Sequence, residues 1–259
     1  SPAIHAEFAR QTGQDLDYAR LLAPRDGFES TVLKFRDEGG KGVNVTLPFK
    51  HEAWNLVTAH GGDAQYARAV NTIDFRNGGI IGYNTDGIGL VADLERNLGF
   101  PIRNKRVLLM GAGGASYGVV QPILNARPEL LVVANRTPDK AVAVVAHFEK
   151  FARLAPRGMS AQPYPQLGGS QFDLVINATS AGLSGEMPAL PPGIFAAGAL
   201  AYEMVYGQHT PFMKFAAAQG ARIADGLGML VEQAAAAFFI WRGVRPDTAP
   251  VIAMLKREA

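Results

Sequence analysis

Short apolar runs alternate with longer helical stretches along the middle of the chain, a pattern typical of parallel βαβ units in an α/β protein. The apolar run 107–110 predicts a strand, a glycine-rich turn follows it, and the pattern then predicts a helix over about 116–125. The run 130–134 predicts the next strand and completes one βαβ unit. Further apolar runs predict strands at 174–177 and 200–205.

The first third of the chain has a different pattern. Apolar and polar side chains alternate over 43–47, which predicts a strand with one exposed face. Pro48 ends that strand, and a helix begins just after it. Residues 77–79 (Asn-Gly-Gly) predict a hairpin turn between two short strands, and a predicted helix over 87–97 leads to a boundary at 99–101.

Composition excludes several classes of function. The chain has 259 residues, 48% apolar and 19% charged, which is the balance of a globular protein. Its net charge is only +2 and its basic residues are scattered, so we expect no nucleic-acid partner. Cysteine is absent and the five His are dispersed, so we expect no metal site. The apolar run 234–241 is shorter than the roughly 20 residues of a membrane span, and it predicts a buried helix.

A glycine-rich turn lies directly between a predicted strand and a predicted helix. It reads Gly111-Ala112-Gly113-Gly114-Ala115-Ser116, and this position is the one that a dinucleotide-binding fingerprint requires. The glycines allow a tight turn and a close approach of the backbone to a pyrophosphate, whose charge the helix N-terminus stabilises. The alternative is a glycine-rich turn that binds no ligand.

The residues after the second strand indicate which dinucleotide is bound. An NAD enzyme places an Asp or Glu here on the ribose hydroxyl, whereas this chain has Asn135-Arg136-Thr137. Arg136, with Thr137 and Lys140 nearby, can bind a 2′-phosphate through charge-assisted hydrogen bonds, which predicts NADP as cofactor. Thr137 and Pro138 alternatively cap and start the next helix; both interpretations can hold together.

Polar side chains follow the strand at 43–47. Asn44 and Thr46 share one face of that strand and Lys50 begins the next helix, so the three side chains can converge. A half-exposed strand followed by a solvated lysine explains the same pattern. Asp86 precedes a predicted helix, and its alternatives are a catalytic carboxylate or an ordinary N-cap.

Eight motifs, in family order over almost the whole chain, resemble those of the shikimate dehydrogenase family. Besides the glycine turn and Asn135-Arg136-Thr137, they are Ser1-Pro2, Gly42-Val43-Asn44-Val45-Thr46-Leu47-Pro48-Phe49-Lys50, Ala69-Val70-Asn71-Thr72, Gly82-Tyr83-Asn84-Thr85-Asp86-Gly87, Asn177-Ala178-Thr179-Ser180 and Gly228-Met229-Leu230-Val231-Glu232-Gln233-Ala234. The resemblance implies an α/β fold with an N-terminal substrate domain and a Rossmann-type, doubly wound NADP domain. It places the substrate domain at 1–86 and 226–259, and the NADP domain with its linking helix at 87–225.

The resemblance also implies a reaction and its residues. The expected reaction is the reversible, NADP-dependent reduction of 3-dehydroshikimate to shikimate in chorismate and aromatic amino-acid biosynthesis. Lys50 and Asp86 are the implied catalytic pair. The implied substrate-binding residues are Ser1, Asn44, Thr46, Asn71, Tyr206 and Gln233. The implied cofactor-binding residues are Gly111, Gly113, Gly114, Ala115, Asn135, Arg136, Thr137, Lys140, Thr179, Ser180 and Gly226.

Two alternatives of function stay open, an NAD-dependent quinate/shikimate dehydrogenase and a ligand-sensing relative that has lost turnover. We expect a cytoplasmic protein that is a monomer or a homodimer. Family members carry a first strand and a Gly-x-Pro-Ile-x-His-Ser-x segment before the residue that is Ser1 here. We expect the full protein to contain that segment beside the strand 43–47. Glu203 replaces the usual Asp and is interpreted as structural.

Overall fold

The computed structural model describes residues 1–181 and 185–258, apart from the side chains of Asn77 and Glu258. Its helices are α1 (Pro2–Thr12), α2 (Phe28–Asp37), α3 (Lys50–Leu56), α4 (Ala64–Ala67), α5 (Asp86–Ala92), α6 (Gly114–Asn125), α7 (Pro138–His147), α8 (Pro211–Ala218), α9 (Leu227–Arg242) and α10 (Ala249–Glu258). Its strands are β1 (Gly42–Asn44), β2 (Ala59–His60), β3 (Thr72–Asp74), β4 (Ile81–Tyr83), β5 (Arg106–Met110), β6 (Leu130–Ala134), β7 (Met159–Gln162), β8 (Phe172–Asn177), β9 (Phe195–Glu203) and β10 (Arg222–Ala224).

The strands form two sheets. The first has the order β1-β3-β4-β2, with β3 antiparallel to both β1 and β4 and with β2 parallel to β4. The second has the order β10-β9-β8-β5-β6-β7 and is parallel throughout. Its central strands β5, β6 and β8 are buried over most of their length, as expected for parallel strands that are covered on both faces. The chain therefore has the expected α/β fold with a Rossmann-type parallel sheet.

The predicted βαβ unit is confirmed. β5 and β6 have the predicted bounds to within one residue, and α6 begins two residues before the predicted start because the glycine turn already enters the helix at Gly114. β9 ends at Glu203 rather than at Val205. The reason is that the Glu203 carboxylate accepts a hydrogen bond from the backbone N–H of Val205 at 3.2 Å, which turns the chain out of the sheet.

The alternating segment in the first third forms a strand shorter than predicted. β1 ends at Asn44, although the N–H of Val45 still bonds to the carbonyl of Asn71 at 2.8 Å. Leu47 is 73% exposed, so the predicted apolar face stops before it. The chain instead turns here, with the N–H of Phe49 donating to the carbonyl of Thr46 at 3.0 Å, and the turn leads directly into α3.

Helices α5 and α9 pack against each other. α5 continues as a π-helical turn (Asp93–Asn97) and packs along α9, close enough that a Cβ on Gly89 would approach the Gln233 backbone nitrogen to 2.8 Å. α9 is largely buried, as the apolar run 234–241 predicts, and packs against α1 and α10. Within residues 1–181 and 185–258, no helix combines the length and the apolar character that crossing a membrane requires.

Candidate active site

A cleft with a volume of about 1330 Å³ runs between the two sheets. Asn44, Lys50 and Asp86 line it from the first sheet and its helices, while Gly113 and Arg136 line it from the second. This volume exceeds the several hundred Å³ of a usual small-molecule pocket, so the cleft has room for a large and a small ligand together.

Lys50 and Asp86 form an ion pair in this cleft. The Nζ of Lys50, the first residue of α3, lies 2.6 Å from Oδ2 of Asp86, the first residue of α5. Their side chains are only 22% and 11% exposed, so the pair is more shielded from water than a surface ion pair. The N-cap interpretation of Asp86 is wrong, because Thr85 holds the N-cap position and the Asp86 carboxylate binds the lysine instead.

Asn71 fixes the second oxygen of that carboxylate. Its Nδ2 donates to Oδ1 of Asp86 at 2.9 Å and lies 3.3 Å from Oε1 of Gln233, while its Oδ1 accepts from the backbone N–H of Thr85 at 2.8 Å. Asn71 and Thr85 are buried, and Gln233 is half-buried on α9. The start of α5, the end of the Ala69–Thr72 segment and α9 therefore meet at one point and orient Asp86.

Asn44 is also held by hydrogen bonds on both ends of its amide. Its Nδ2 donates to Oγ1 of Thr72 at 3.1 Å, and its Oδ1 accepts from the hydroxyl of Tyr18 at 2.8 Å. Burial raises the pKa of Tyr18 to about 12, so this phenol stays protonated and remains a donor. Ser1, Thr46 and the half-exposed Tyr206 also line the cleft. Hydroxyl and amide groups suit recognition of a hydroxylated ligand.

The glycine turn forms the floor of the other end. Gly111 has a φ of +108°, and a Cβ there would lie 3.0 Å from the carbonyl oxygen of Ala178, so the tight turn needs glycine. Gly113 and Gly114 face open space at the start of α6. The first N–H groups of a helix lack intrahelical partners, and the space beside Gly113 and Gly114 is open, so a pyrophosphate can approach these groups closely.

Arg136 is 90% exposed and extends into the cleft beyond the end of β6, with its Nη1 4.0 Å from Oε2 of Glu186. Thr137 stands at the N-cap position of α7 and Pro138 is its first residue, but the Thr137 side chain makes no capping hydrogen bond, so only the position of the predicted helix start is confirmed. Asn135 lines the cleft and donates from Nδ2 to the carbonyl of Thr137 at 2.9 Å. Thr137 and Lys140 themselves lie outside the cleft lining.

The Asn177–Ser180 motif is pinned to the sheet by Asn177, whose Oδ1 accepts from the backbone N–H and the hydroxyl of Thr179 at 3.1 and 2.7 Å. Glu203 in turn accepts from Nδ2 of Asn177 at 2.7 Å and from Oγ1 of Thr210 at 2.9 Å. Burial raises the pKa of the Glu203 carboxyl, and it lies outside the cleft lining, as a structural residue should. Thr179 and Ser180 are thereby presented to the cleft.

Gly226 lies where the chain passes from the second sheet into α9. A Cβ at this position would collide with the carbonyl oxygen of Met204, so only glycine allows the close approach of the two backbones. Its own N–H donates to the carbonyl of Val205 at 3.2 Å. Every predicted site residue except Thr137 and Lys140 lines the cleft.

The cleft also contains residues that sequence reasoning missed. They are Tyr18 and Arg20 at the end that holds Asn44, and Tyr164 and Glu186 at the end that holds Arg136. No local pattern marks them: each stands in a loop or short 3-10 turn, and only the fold brings it to the cleft. Burial raises the pKa of Tyr164 to about 12, so its phenol is neutral.

Comparison with known families gives a consistent result along the chain. Residues 1–73 match the substrate-binding domain of shikimate dehydrogenase, residues 94–183 match shikimate/quinate 5-dehydrogenase, and residues 226–256 match the C-terminal domain of shikimate 5′-dehydrogenase. A protein of Methylobacillus flagellatus named shikimate dehydrogenase (NADP(+)) is 55% identical over 99% of this chain and 94% of its own length.

Solved structures agree with the sequence matches. The Ael1 enzyme of Pseudomonas putida superposes with a TM-score of 0.91 at 49% identity, covering 98% of this chain and 92% of that one. Shikimate 5-dehydrogenase of Thermus thermophilus, solved in complex with NADP(H) and shikimate, gives a TM-score of 0.86 at 31% identity and covers 100% of this chain and 94% of that one.

Proposed function

This chain belongs to the shikimate dehydrogenase family and interconverts 3-dehydroshikimate and shikimate with NADP, and we propose that Lys50 and Asp86 are the catalytic pair of that reaction. The observation that carries the proposal is the 2.6 Å ion pair at the wall of the large cleft. Within the described ranges no cluster of His, Asp and Glu could hold a metal ion, and the proposed chemistry uses none.

Lys50 is suited to act as the proton donor. Bound NADPH supplies a hydride to the ring ketone, whose oxygen then gains negative charge and must receive a proton. An ammonium group stabilises that charge before it transfers the proton. Asp86 holds the Lys50 ammonium at 2.6 Å and already restricts the conformations of the lysine side chain. Substrate binding therefore costs little additional side-chain entropy.

Asp86 has two functions in this proposal. One oxygen orients the ammonium of Lys50, and the carboxylate is also available to accept a hydrogen bond from a substrate hydroxyl next to the reacting carbon. Asn71 supports the second oxygen at 2.9 Å and thus fixes the plane of the carboxylate. The arrangement orients a proton donor within a partly buried site, which is the usual requirement for general acid catalysis.

The substrate-binding set that we propose shares hydroxyl, phenol or amide groups at the Lys50 end of the cleft. Its members are Ser1, Asn44, Thr46, Asn71, Tyr206 and Gln233. The hydrogen bonds that already hold Asn44, Asn71 and Gln233 limit their rotation, which supports a pre-formed site for the substrate's hydroxyls and carboxylate.

The cofactor-binding set that we propose lies at the other end. It comprises Gly111, Gly113, Gly114, Ala115, Asn135, Arg136, Thr179, Ser180 and Gly226, with Thr137 and Lys140 at its margin. The residues fit NADP, because the helix start without side chains can accept a pyrophosphate and Arg136 presents an exposed guanidinium for the 2′-phosphate. The absence of an acid directly after β6 supports NADP over NAD.

We further propose that residues 1–86 and 226–259 form the substrate domain and residues 87–225 the cofactor domain. The separation of the two sheets and the return of α9 to α1 support this division. A cytoplasmic location, and a monomeric or homodimeric state, stay predictions.

An assay of NADPH oxidation with 3-dehydroshikimate tests the reaction, and NADH and dehydroquinate serve as the comparison cofactor and substrate. We expect turnover with 3-dehydroshikimate and a higher kcat/KM for NADPH than for NADH. Ligand binding without turnover would favour the ligand-sensing alternative, and a preference for NADH would favour the quinate/shikimate alternative.

A further inference from the structure

Among the described residues that line the cleft, two carry a carboxylate, and each faces a cation. Asp86 pairs with Lys50 at 2.6 Å, and Glu186 approaches Arg136 to 4.0 Å. The first pair belongs to the reaction. The second lies at the opposite end of the cleft, beside the guanidinium proposed to bind the 2′-phosphate, and it has no part in the catalytic proposal.

Glu186 reaches this position from a loop after β8. Its backbone N–H donates to the carbonyl of Ala181 at 2.9 Å, and the next residues, Met187 and Pro188, also line the cleft. Residues 186–188 therefore form part of the wall at the Arg136 end. The side chains of Arg136 and Glu186 are 90% and 66% exposed, so water screens their attraction and both can rearrange when a ligand arrives.

We propose that Glu186 is a specificity-determining residue that competes with the cofactor's 2′-phosphate for Arg136. This inference rests on the proposed role of Arg136. A carboxylate and a phosphate are both anions that bind a guanidinium, so they cannot both use the same face of it without repelling each other. NADPH must displace Glu186 from Arg136, whereas NADH carries a hydroxyl at that position and does not.

The competition weakens NADPH binding selectively. A carboxylate near the adenosine ribose is neutral or favourable toward NADH, because acids in NAD enzymes accept a hydrogen bond from the ribose hydroxyl. The same carboxylate is unfavourable toward a phosphate. Arg136 makes NADPH bind more tightly than NADH, and Glu186 therefore reduces this difference in affinity. Glu186 lies 50 positions after Arg136 in the sequence.

The variant Glu186→Gln keeps the size of the side chain and removes its charge. We expect the Kd and KM for NADPH to fall about two- to fivefold, the scale of one exposed ion pair, and those for NADH to stay the same or rise. Glu129→Gln is the matched control, because Glu129 forms an ion pair with Arg157 at 3.3 Å outside the cleft lining. It should change neither cofactor constant. Fluorescence titration of both reduced cofactors, at low and at high salt, supplies the Kd values.

The same substitution in an Arg136→Ala background completes the test. There Glu186→Gln should improve NADPH binding less than it does in the wild type, because direct charge repulsion remains but no guanidinium is left to compete for. An unchanged NADPH constant in the single variant, an equal gain for both cofactors, or a gain in NADPH binding that is undiminished without Arg136 overturns the inference. Failure of the proposed phosphate site is distinguishable, since Arg136→Ala alone would then weaken both cofactors equally.

Discussion

The phenolic hydroxyl of Tyr202 donates a 2.6 Å hydrogen bond to Oδ2 of Asp93 and so ties β9 of the parallel sheet to the helical segment that begins at Asp86. Tyr202 is fully buried and Asp93 is 3% exposed. A Cβ on Gly228 would collide with the Asp93 carboxylate, so α9 closes over this contact. One buried hydrogen bond thus joins the parallel sheet to the helical segment that begins with Asp86, the proposed catalytic carboxylate.

Removing that hydrogen bond should destabilise the fold. We expect Tyr202→Phe to lower the free energy of unfolding by about 1–3 kcal/mol, because it leaves a buried carboxylate oxygen without its donor. Urea unfolding monitored by circular dichroism measures the change. Tyr206→Phe, which removes a hydroxyl from a half-exposed side chain, should cost less than about 0.5 kcal/mol. An equal decrease in the free energy of unfolding in both variants would show that the hydrogen bond to Asp93 does not stabilise the fold.

Replacing Lys50 should abolish most of the activity without affecting the cofactor. We expect Lys50→Ala to lower kcat by about a hundredfold or more, the scale for losing a general acid, while the Kd for NADP stays nearly unchanged. Steady-state kinetics and cofactor titration measure the two effects. Lys34→Ala, on the exposed surface of α2, is the control. Near-normal turnover would remove Lys50 from the mechanism.

Replacing Asp86 separates its catalytic role from a structural one. Asp86→Asn keeps the shape but cannot hold the ammonium as an ion pair, so we expect a loss of kcat similar to that of Lys50→Ala. The melting temperature is recorded in parallel. If it drops while kcat of the folded fraction stays high, Asp86 is structural only.

Arg136 should discriminate between the two cofactors. We expect Arg136→Ala to raise the KM for NADPH tenfold or more, equivalent to about 1.5–3 kcal/mol for one charge-assisted contact, and to leave the KM for NADH nearly unchanged. Parallel kinetics with both cofactors provide the measurement. Thr137 and Lys140 lie outside the cleft lining, so Lys140→Ala should have a smaller effect of the same kind.

His5 should make the folded state sensitive to mild acid. Its ring is fully buried and stacks on Tyr18 with a centroid distance of 4.1 Å, and burial lowers the pKa of His5 to about 3. The unfolded chain binds a proton near pH 6.5, so this contribution to stability is complete above that pH and is lost progressively as the pH falls toward 3. At pH 5.5 the loss is about 1.4 kcal/mol.

Urea unfolding at pH 7.5 and pH 5.5 tests this prediction. The variant His5→Phe has no group that titrates in this range, so it should show a smaller decrease in the free energy of unfolding between the two pH values. The same decrease in both proteins would assign the acid sensitivity to other groups.

Local patterns were sufficient where neighbouring residues decide the structure. The run 107–110, the glycine turn and the run 130–134 define β5, α6 and β6 because apolar strands and glycine conformation are encoded within a few positions. β7 was not predicted, because Met159–Gln162 has no apolar pattern and gains its structure only by pairing with β6 at the sheet edge.

The residues of the candidate site could be predicted from local motifs, but the contacts between them could not. Asn44, Lys50 and Asp86 could be identified from motifs that lie within a few residues of each, and the family resemblance assigned their roles. The ion pair between Lys50 and Asp86 joins residues 36 positions apart, and the approach of Glu186 to Arg136 joins residues 50 positions apart. Such contacts depend on how the two sheets and their loops pack, which periodicity along the chain does not encode.

The separation of the two sheets has a consequence for how such enzymes diversify. Lys50 and Asp86 are attached to elements next to the first sheet, whereas Arg136 and Glu186 follow strands of the second. Substitutions that change the cofactor preference can therefore occur in the second sheet and its loops without altering the residues proposed for proton transfer. We expect a chimaera that carries the segment from β5 to β10 of a relative to acquire the cofactor preference of that relative. Its proton transfer should stay that of the protein that supplies Lys50 and Asp86.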